Sequence, residues 1–401
     1  MHIWNFLPTG PHLFAVFAWL IAAVWASRVV TALVMLPRVP DLRRKEYDHL
    51  QQKTGWPSLV VIVPAKNESR AIRATLQSLL ASDYPNLQII AVDDRSTDAT
   101  GEIMDAIASQ PQSKGRLRVL HVTDLPAGWL GKPHAMALAA QSAHTDWLLF
   151  TDADVLFAPD AFRRALHYAE QEHADHLVVY PTMLLKGFGE RMFLSFFQGI
   201  SVWAARAWKV ADPRAKRDFV GVGAFNMVRR SVYDALGGYE ALRMEVLEDM
   251  RLGYRVKEAG FAQRVAFGRD LARIRWAESV WGMMGNLTKN MFSAFRFRVS
   301  LLLAACVGLL FLCLTPFVAL VVPGAARWAG VVTLLLLLLL NLRYWPQTRI
   351  SPVCLVFFPV GMLLFLYTLL RSMVLTLLRG GVLWRGTLYP LAELREQVDP
   401  L

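Results

Sequence analysis

The chain has 401 residues, 55% of them hydrophobic, and its 43 Lys and Arg against 32 Asp and Glu give a net charge of +11. A mean hydropathy of +0.33 excludes an ordinary soluble protein, and three cysteines without disulfide or metal-ligand spacing, Cys306, Cys313 and Cys354, exclude a disulfide scaffold. The basic excess does not point to nucleic acid, because it sits beside apolar segments: Arg38, Arg43, Arg44 and Lys45 follow the first, and Lys289, Arg296 and Arg298 precede the second.

After a short N-terminal segment, 1–12, residues 13–36 form an apolar run long enough to cross a bilayer, with Arg28 as its charged interruption. The run is too long for a signal-peptide core and no small-residue cleavage site follows it, so an uncleaved anchor is expected. Arg28 must then snorkel or face protein. A basic and polar linker, 37–56, comes next. Its charges, with Lys289, Arg296 and Arg298, place residues 37–299, including the domain over 57–299, in the cytoplasm of a multi-pass protein of the cell membrane, expected to be the inner membrane of a bacterium.

From 57 onward short runs rich in Val and Ile appear at 59–63, 87–92, 117–122, 147–151 and 177–180, with helix-period segments at 69–81 and 98–109. This alternation predicts an α/β domain with a mostly parallel sheet covered on both faces. Ligands of such sheets bind at the carboxyl ends of the strands. There the sequence places "VPAKNES", "VDDRSTD" and "TDAD". Ser69 and Asp98 are candidate helix N-caps. Asp152 and Asp154 end a buried apolar run, where an unpaired carboxylate is expensive. A hard cation, Mg²⁺ or Mn²⁺, bridging to a diphosphate would satisfy them.

Residues 188–210 are dense in aromatics and cations and predict an interfacial helix, with Phe and Trp toward lipid and Arg and Lys toward headgroups. A second interfacial stretch is expected over 277–299. A C-terminal transmembrane region, 300–378, then carries apolar runs at about 300–322, 325–342 and 353–377, followed by the tail 379–401. Three crossings put the tail across the membrane from residues 57–299, yet Arg379, Arg385 and Arg395 favour the same side. Either one apolar run does not fully cross or the tail breaks the charge rule.

The strings "VIVPAKNES", "VDDRSTDAT", "GKPHAMALA", "FTDAD", "GVGAFNMVRRSVYDALGGYE" and "LEDMRLGYRVKEAG" occur in this order over about 57–265. As a set they resemble the membrane-bound family 2 glycosyltransferases of GT-A fold. The resemblance implies that Pro64, Ala65 and Glu68 border the nucleotide base, that Asp94 contacts the uracil or ribose, and that Lys132 lies near the donor nucleotide. It implies that Asp152 and Asp154 hold the metal and the donor diphosphate, and that Gly221 and Gly223 let the backbone approach the donor sugar. Asp249 is the expected catalytic base of a single, inverting displacement, and Glu248 is expected to point elsewhere and orient its loop. The Q-x-x-R-W motif of the processive members is absent: "RIRW", 273–276, has Arg273 in place of the glutamine. "SVWGMMGNLTKNMF" and the tail string "LWRGTLYP", with Trp384, Arg385, Gly386 and Tyr389, are instead similar to the smaller, lipid-acting, non-processive enzymes.

The partners implied are a nucleotide-sugar donor, UDP-linked by this resemblance, the bilayer, and a lipid acceptor such as a hopanoid, carotenoid, ceramide-like lipid or diacylglycerol. A polyprenyl-phosphate transferase or a polysaccharide synthase of the same fold is the alternative. A haloacid-dehalogenase-type phosphatase would place its D-x-D at the first strand, whereas three strands precede this one. A transporter would need polar groups in its apolar segments, which offer almost none.

Overall fold

The computed structural model describes residues 10–47, 55–204 and 206–396. Most of the N-terminal segment (1–9), the middle of the linker (48–54) and the end of the tail (397–401) lie outside the described residues. The chain divides into two units.

The α/β unit comprises 38–184, 207–276 and the tail from Leu375. Its strands, in chain order, are β1 (Leu59–Ala65), β2 (Leu87–Asp94), β3 (Leu117–Val122), β4 (Trp147–Phe150), β5 (Val155–Phe157), β6 (His176–Tyr180), β7 (Thr182–Met183), β8 (Asn226–Arg229), β9 (Gln263–Phe267), β10 (Ala272–Ile274), β11 (Gly381–Trp384) and β12 (Thr387–Pro390). The main sheet runs β3-β2-β1-β4-β8-β6-β9. β3, β2, β1 and β4 are mutually parallel. β8 runs antiparallel to both neighbours, and β6 pairs parallel with β9. The five expected strands are all present. β8 and β9 are additional, and β5, β10 and β7 form a small second sheet.

Alternation along the central strands builds a core on each face, because successive side chains point to opposite sides. Leu59, Val61, Val63 and Ala65 of β1 pack with Ile72, Leu76 and Leu79 of the helix Ile72–Leu80 and with Phe162 and Leu166 of Ala161–Gln171. Val60 and Ile62 face the other way, with Met136 of Gly131–Gln141 and Leu252 and Val256 of Glu248–Glu258. β1 is therefore buried at all seven positions, as a central parallel strand should be.

Three local expectations change. The first two helices are shorter than their periodicity, Ile72–Leu80 and Thr100–Ala108, and neither has a side-chain N-cap. The Ser69 amide donates to the Asp98 carboxylate at 3.2 Å, and that carboxylate also accepts from the Thr100 amide at 3.0 Å, so Asp98 does meet the start of the second helix. The stretch read as linker is partly core: Leu42 is fully buried and its amide donates to the Phe267 carbonyl at 3.0 Å. Its cations are also engaged, Arg43 pairing with Asp160 at 3.1 Å.

The helical unit comprises the chain up to Pro37 together with 185–206 and 277–374. Four described helical segments are long and apolar enough to cross a bilayer, Pro11–Arg38, Val299–Val321, Ala325–Thr348 and Pro352–Arg379, the pattern of a multi-pass membrane protein. Arg28 faces protein, its guanidinium 5.1 Å from the Trp203 ring centroid, a cation–π contact. The helix read as 188–210 ends at Ala204. Two of its aromatics turn inward, Phe193 and Phe196, which are fully buried, Phe196 packing on Phe358 at 4.9 Å and Phe193 on Phe365 at 6.5 Å, while Phe188 stays exposed. Val280–Ala294 is capped by Ser279, whose hydroxyl accepts from the Gly282 amide at 3.2 Å. All three cysteines are free.

One buried polar network ties β6, β8 and β9 together. His176, wholly buried, donates from Nε2 to Asn226 Oδ1 and accepts at Nδ1 from Gln263 Nε2 at 2.8 Å. Both nitrogens are satisfied in the neutral ring, and burial pushes its pKa down to about 4. An unfolded histidine takes up its proton near pH 6.5, whereas the folded one resists it until about pH 4. The contribution is fully present above pH 6.5 and is lost as pH falls toward 4, by about 3 kcal/mol. Thermal unfolding of the purified protein should show this loss, and a His176→Gln variant should lack it. Parallel pH profiles for the two proteins would contradict the assignment.

Candidate active site

β2, β1 and β4 are adjacent and parallel, so their carboxyl ends and the loops that follow share one edge. The first two loops are laced together. The Asn67 amide donates to Ser96 Oγ at 3.0 Å, the Thr97 amide to Asn67 Oδ1 at 2.8 Å, and the Glu68 amide to Thr100 Oγ1 at 2.8 Å. Asn67 and Arg95 both have left-handed backbone, φ 57°, which turns the chain sharply at each strand end. The third loop is pinned from β8: the Asp152 amide donates to the Gly223 carbonyl at 2.9 Å and Thr151 Oγ1 to the Ala224 carbonyl at 2.8 Å.

Lys132 is the centre of the site. It is the second residue of Gly131–Gln141, and its Nζ lies 2.6 Å from Asp152 Oδ1 and 2.6 Å from Glu248 Oε1. Burial alone would depress this ammonium, but the Asp152, Glu248 and Asp249 carboxylates outweigh it and raise its pKa. Glu248 is buried against Lys132, so the expectation that it points away from the site is not met. Both acids open the helix Glu248–Glu258, where negative charge is favoured by the exposed amides. Burial, with the Glu248 charge beside it, pushes the Asp249 carboxyl up to about 6.

Two glycines allow this crowding. A Cβ on Gly221 would lie 1.8 Å from the Asp249 carbonyl oxygen, and one on Gly223 would lie 2.6 Å from Asp152 Oδ2. Both therefore serve close approach, of backbone to helix and of backbone to carboxylate. The buried network continues here: Gln263 donates to the Val220 carbonyl at 3.0 Å and Asn226 Nδ2 to the Asp249 carbonyl at 3.3 Å.

Asp94 is buried and doubly bonded by Arg95, at 2.7 and 3.1 Å. Asp93 turns to the other side, toward His121 at 3.2 Å. Pro64 and Ala65 are buried in β1, and because Ala65 belongs to the core its side chain is not available to a ligand. Glu68 pairs with Arg385 of the tail at 2.9 Å. The site thus gathers Glu68, Asp94, Lys132, Asp152, Asp154, Gly221, Gly223 and Asp249, and adds Arg95, Glu248, Arg385 and Tyr389. Sequence reasoning left Arg95 aside and gave Glu248 another task. The adjacent acids in "LEDM" and an obligate partner for a buried Lys132 were the available signals.

The donor set suits a hard divalent cation. Burial and the charges of Asp152 and Glu68 push the Asp154 carboxyl up to about 7. Oxygen donors crowded in this way are relieved by a cation. Among the described residues no group of three or more His, Cys, Asp or Glu side chains is arranged to hold a metal by itself. Two carboxylates completed by phosphate oxygens and water are the usual set for Mg²⁺.

The chain is similar in sequence and fold to known proteins. Residues 60–237 match the family model described as "Glycosyl transferase family 2". The 4,4'-diaponeurosporenoate glycosyltransferases of Staphylococcus aureus strains bovine RF122 / ET3-1 and USA300 are each 27% identical over 235 residues, 57% of this chain. The chain spans 60% of the length of these curated relatives. Among solved structures, a mannosyltransferase from Pyrobaculum calidifontis in complex with GDP-Man and Mn2+ superposes with a TM-score of 0.54 at 18% identity, covering 87% of this chain and 99% of that one, a likeness of fold. The match to this family model thus lies mostly within the α/β unit, in a chain that also carries long apolar helices.

Proposed function

We propose that the chain is an inverting, metal-dependent transferase that moves one sugar from a nucleoside diphosphate donor, UDP-linked, to a membrane lipid. One observation carries the reading: Lys132 joins Asp152, at the end of β4, to Glu248, and the helix that bears Glu248 also presents Asp249. Donor-side and acceptor-side carboxylates are thereby fixed around one ammonium. Of the acceptors considered, the relatives' names favour a carotenoid-type lipid.

Asp152 and Asp154 would hold Mg²⁺ or Mn²⁺, which when bound neutralises the donor diphosphate and favours its departure. Lys132 holds the Asp152 carboxylate in place at 2.6 Å. Gly223 lets the Asp152 carboxylate lie directly against the backbone. Asp249 takes the proton from the acceptor hydroxyl as its oxygen bonds the anomeric carbon. The bond from that carbon to the phosphate oxygen breaks, and the nucleoside diphosphate leaves with the electron pair. Attack from the face opposite the leaving group inverts the anomeric centre.

The tail supports a membrane arrangement with the α/β unit and the C-terminus on one side, the cytoplasmic side by the positive-inside rule. Its hairpin bonds Glu68 and Gly131, so an even number of crossings lies between Arg298 and Gly380. In our reading Phe358–Arg379 is the helix that does not cross. Ser372 Oγ accepts from the Phe292 amide at 2.9 Å, and Phe358 and Phe365 pack on the helix Phe188–Ala204, so one side is bound to the two helices read as interfacial. Leu363, Tyr367, Leu370, Val374 and Leu377 form an exposed apolar stripe on its other side.

Two measurements test these readings. Asp249 must be ionised to act, so transfer of radiolabelled sugar into extractable lipid should fall about tenfold per pH unit below about pH 6. Asp249→Asn should lower kcat at least about 100-fold while leaving donor binding intact. An unaffected rate would mean that the acceptor enters already deprotonated and needs no base. For topology, single cysteines in a background lacking Cys306, Cys313 and Cys354 can be labelled with an impermeant maleimide in oriented vesicles. Ser109→Cys and Glu396→Cys should label from one side and Pro323→Cys from the other. Opposite labelling of the first two would restore three crossings.

A further inference from the structure

The tail forms a hairpin of β11 and β12 in the α/β unit, with Val382 opposite Tyr389 and Trp384 opposite Thr387. Its two-residue turn is Arg385-Gly386, both with left-handed backbone, φ 49° and 82°. That geometry suits a tight hairpin, yet a non-glycine residue at the first position is held against its preference. The turn places the Arg385 guanidinium 2.9 Å from Glu68 Oε1. One turn back toward the body of the domain, Tyr389 is buried, and its hydroxyl accepts from the Gly131 amide at 3.2 Å. That amide opens the helix that carries Lys132. The same hydroxyl also bonds Arg95.

Three cations meet at this edge. Arg385 and Arg95 lie within electrostatic reach of Lys66, and with burial they lower its pKa. The nearby anions are already committed, Asp94 to Arg95 and Glu68 to Arg385. Arg385 and Glu68 both remain about one-third exposed, 31% and 29%, so a ligand can reach the pair. Cations gathered under a covering hairpin, beside carboxylates suited to a divalent ion, match an anionic ligand with several phosphate oxygens.

We propose that the C-terminal hairpin is a working wall of the donor site, in which Arg385, with Lys66 and Arg95, takes oxygens of the donor diphosphate while Glu68 holds Arg385 in place until the donor arrives. This rests on the proposed transferase function. It makes Arg385 a donor-binding residue contributed from 317 positions beyond Glu68. Tyr389 is a positioning residue, setting the hairpin against Gly131 and Arg95.

The test is equilibrium binding of UDP and GDP to the full-length, detergent-purified protein, with uridine and guanosine as phosphate-free competitors. R385Q should weaken binding of the preferred diphosphate about tenfold, the scale of one charge-assisted hydrogen bond, and leave the nucleoside's affinity unchanged. R385K, which keeps the charge, should bind the diphosphate more tightly than R385Q. If R385Q binds the diphosphate normally, or loses nucleoside and diphosphate binding equally, the hairpin has only a structural part and the inference fails while the transferase reading stands. If the unaltered protein binds no nucleoside diphosphate, the transferase reading fails and this inference with it.

Discussion

An ammonium group between two carboxylates organises this molecule. Lys132 sits 2.6 Å from both Asp152 and Glu248, and those three residues come from the start of one helix, the loop after β4 and the start of a second helix. A buried ion set costs desolvation that only close, well-formed contacts offset. Removing the lysine would leave two acids facing each other with Asp249 beside them, which is far worse than never having built the cluster. The surrounding structure is arranged to keep the three together. Gly221 and Gly223 remove atoms that would hold the elements apart, and the Gln263–His176–Asn226 network fixes the loop and the Asp249 carbonyl from below.

The same cluster divides chemical labour by environment. Asp152 is paired with Lys132 at 2.6 Å. Asp154, crowded by Asp152 and Glu68, rises to about 7, and Asp249, buried beside Glu248, rises to about 6. Acids of one residue type thus acquire different readiness to hold a metal or accept a proton, through burial and neighbouring charge rather than through their own chemistry. The tail adds Arg385, paired with Glu68 at 2.9 Å, and Glu68 in turn is one of the charges that raise Asp154.

Much of this was legible in the sequence because it is local. β-branched runs between helix-period segments announced the parallel strands, and acidic loops after three of them announced the edge. What stayed hidden depends on tertiary meeting. Asn226–Arg229 is too short to read as a strand, yet as β8 it supplies the pairing that carries Gly223 to Asp152. Glu248 was placed elsewhere because neighbouring helix positions diverge, but at a helix start the chain still has freedom to turn both acids inward. Phe193 and Phe196 looked like lipid contacts because composition does not say whether an aromatic face meets lipid or another helix. The hairpin could not be foreseen at all: its four-residue strands follow an apolar run that read as a crossing, and only the contacts of Arg385 and Tyr389 reveal where the tail returns.

The carboxylate edge as a site for a metal and a diphosphate together can be tested by Mn²⁺ titration of the full-length protein followed by electron paramagnetic resonance, with and without UDP. One Mn²⁺ per chain should bind more tightly when UDP is present and show coupling to phosphorus, and Asp152→Asn with Asp154→Asn should abolish that signal. Mn²⁺ binding that is indifferent to UDP, or that survives the double substitution, would contradict the account.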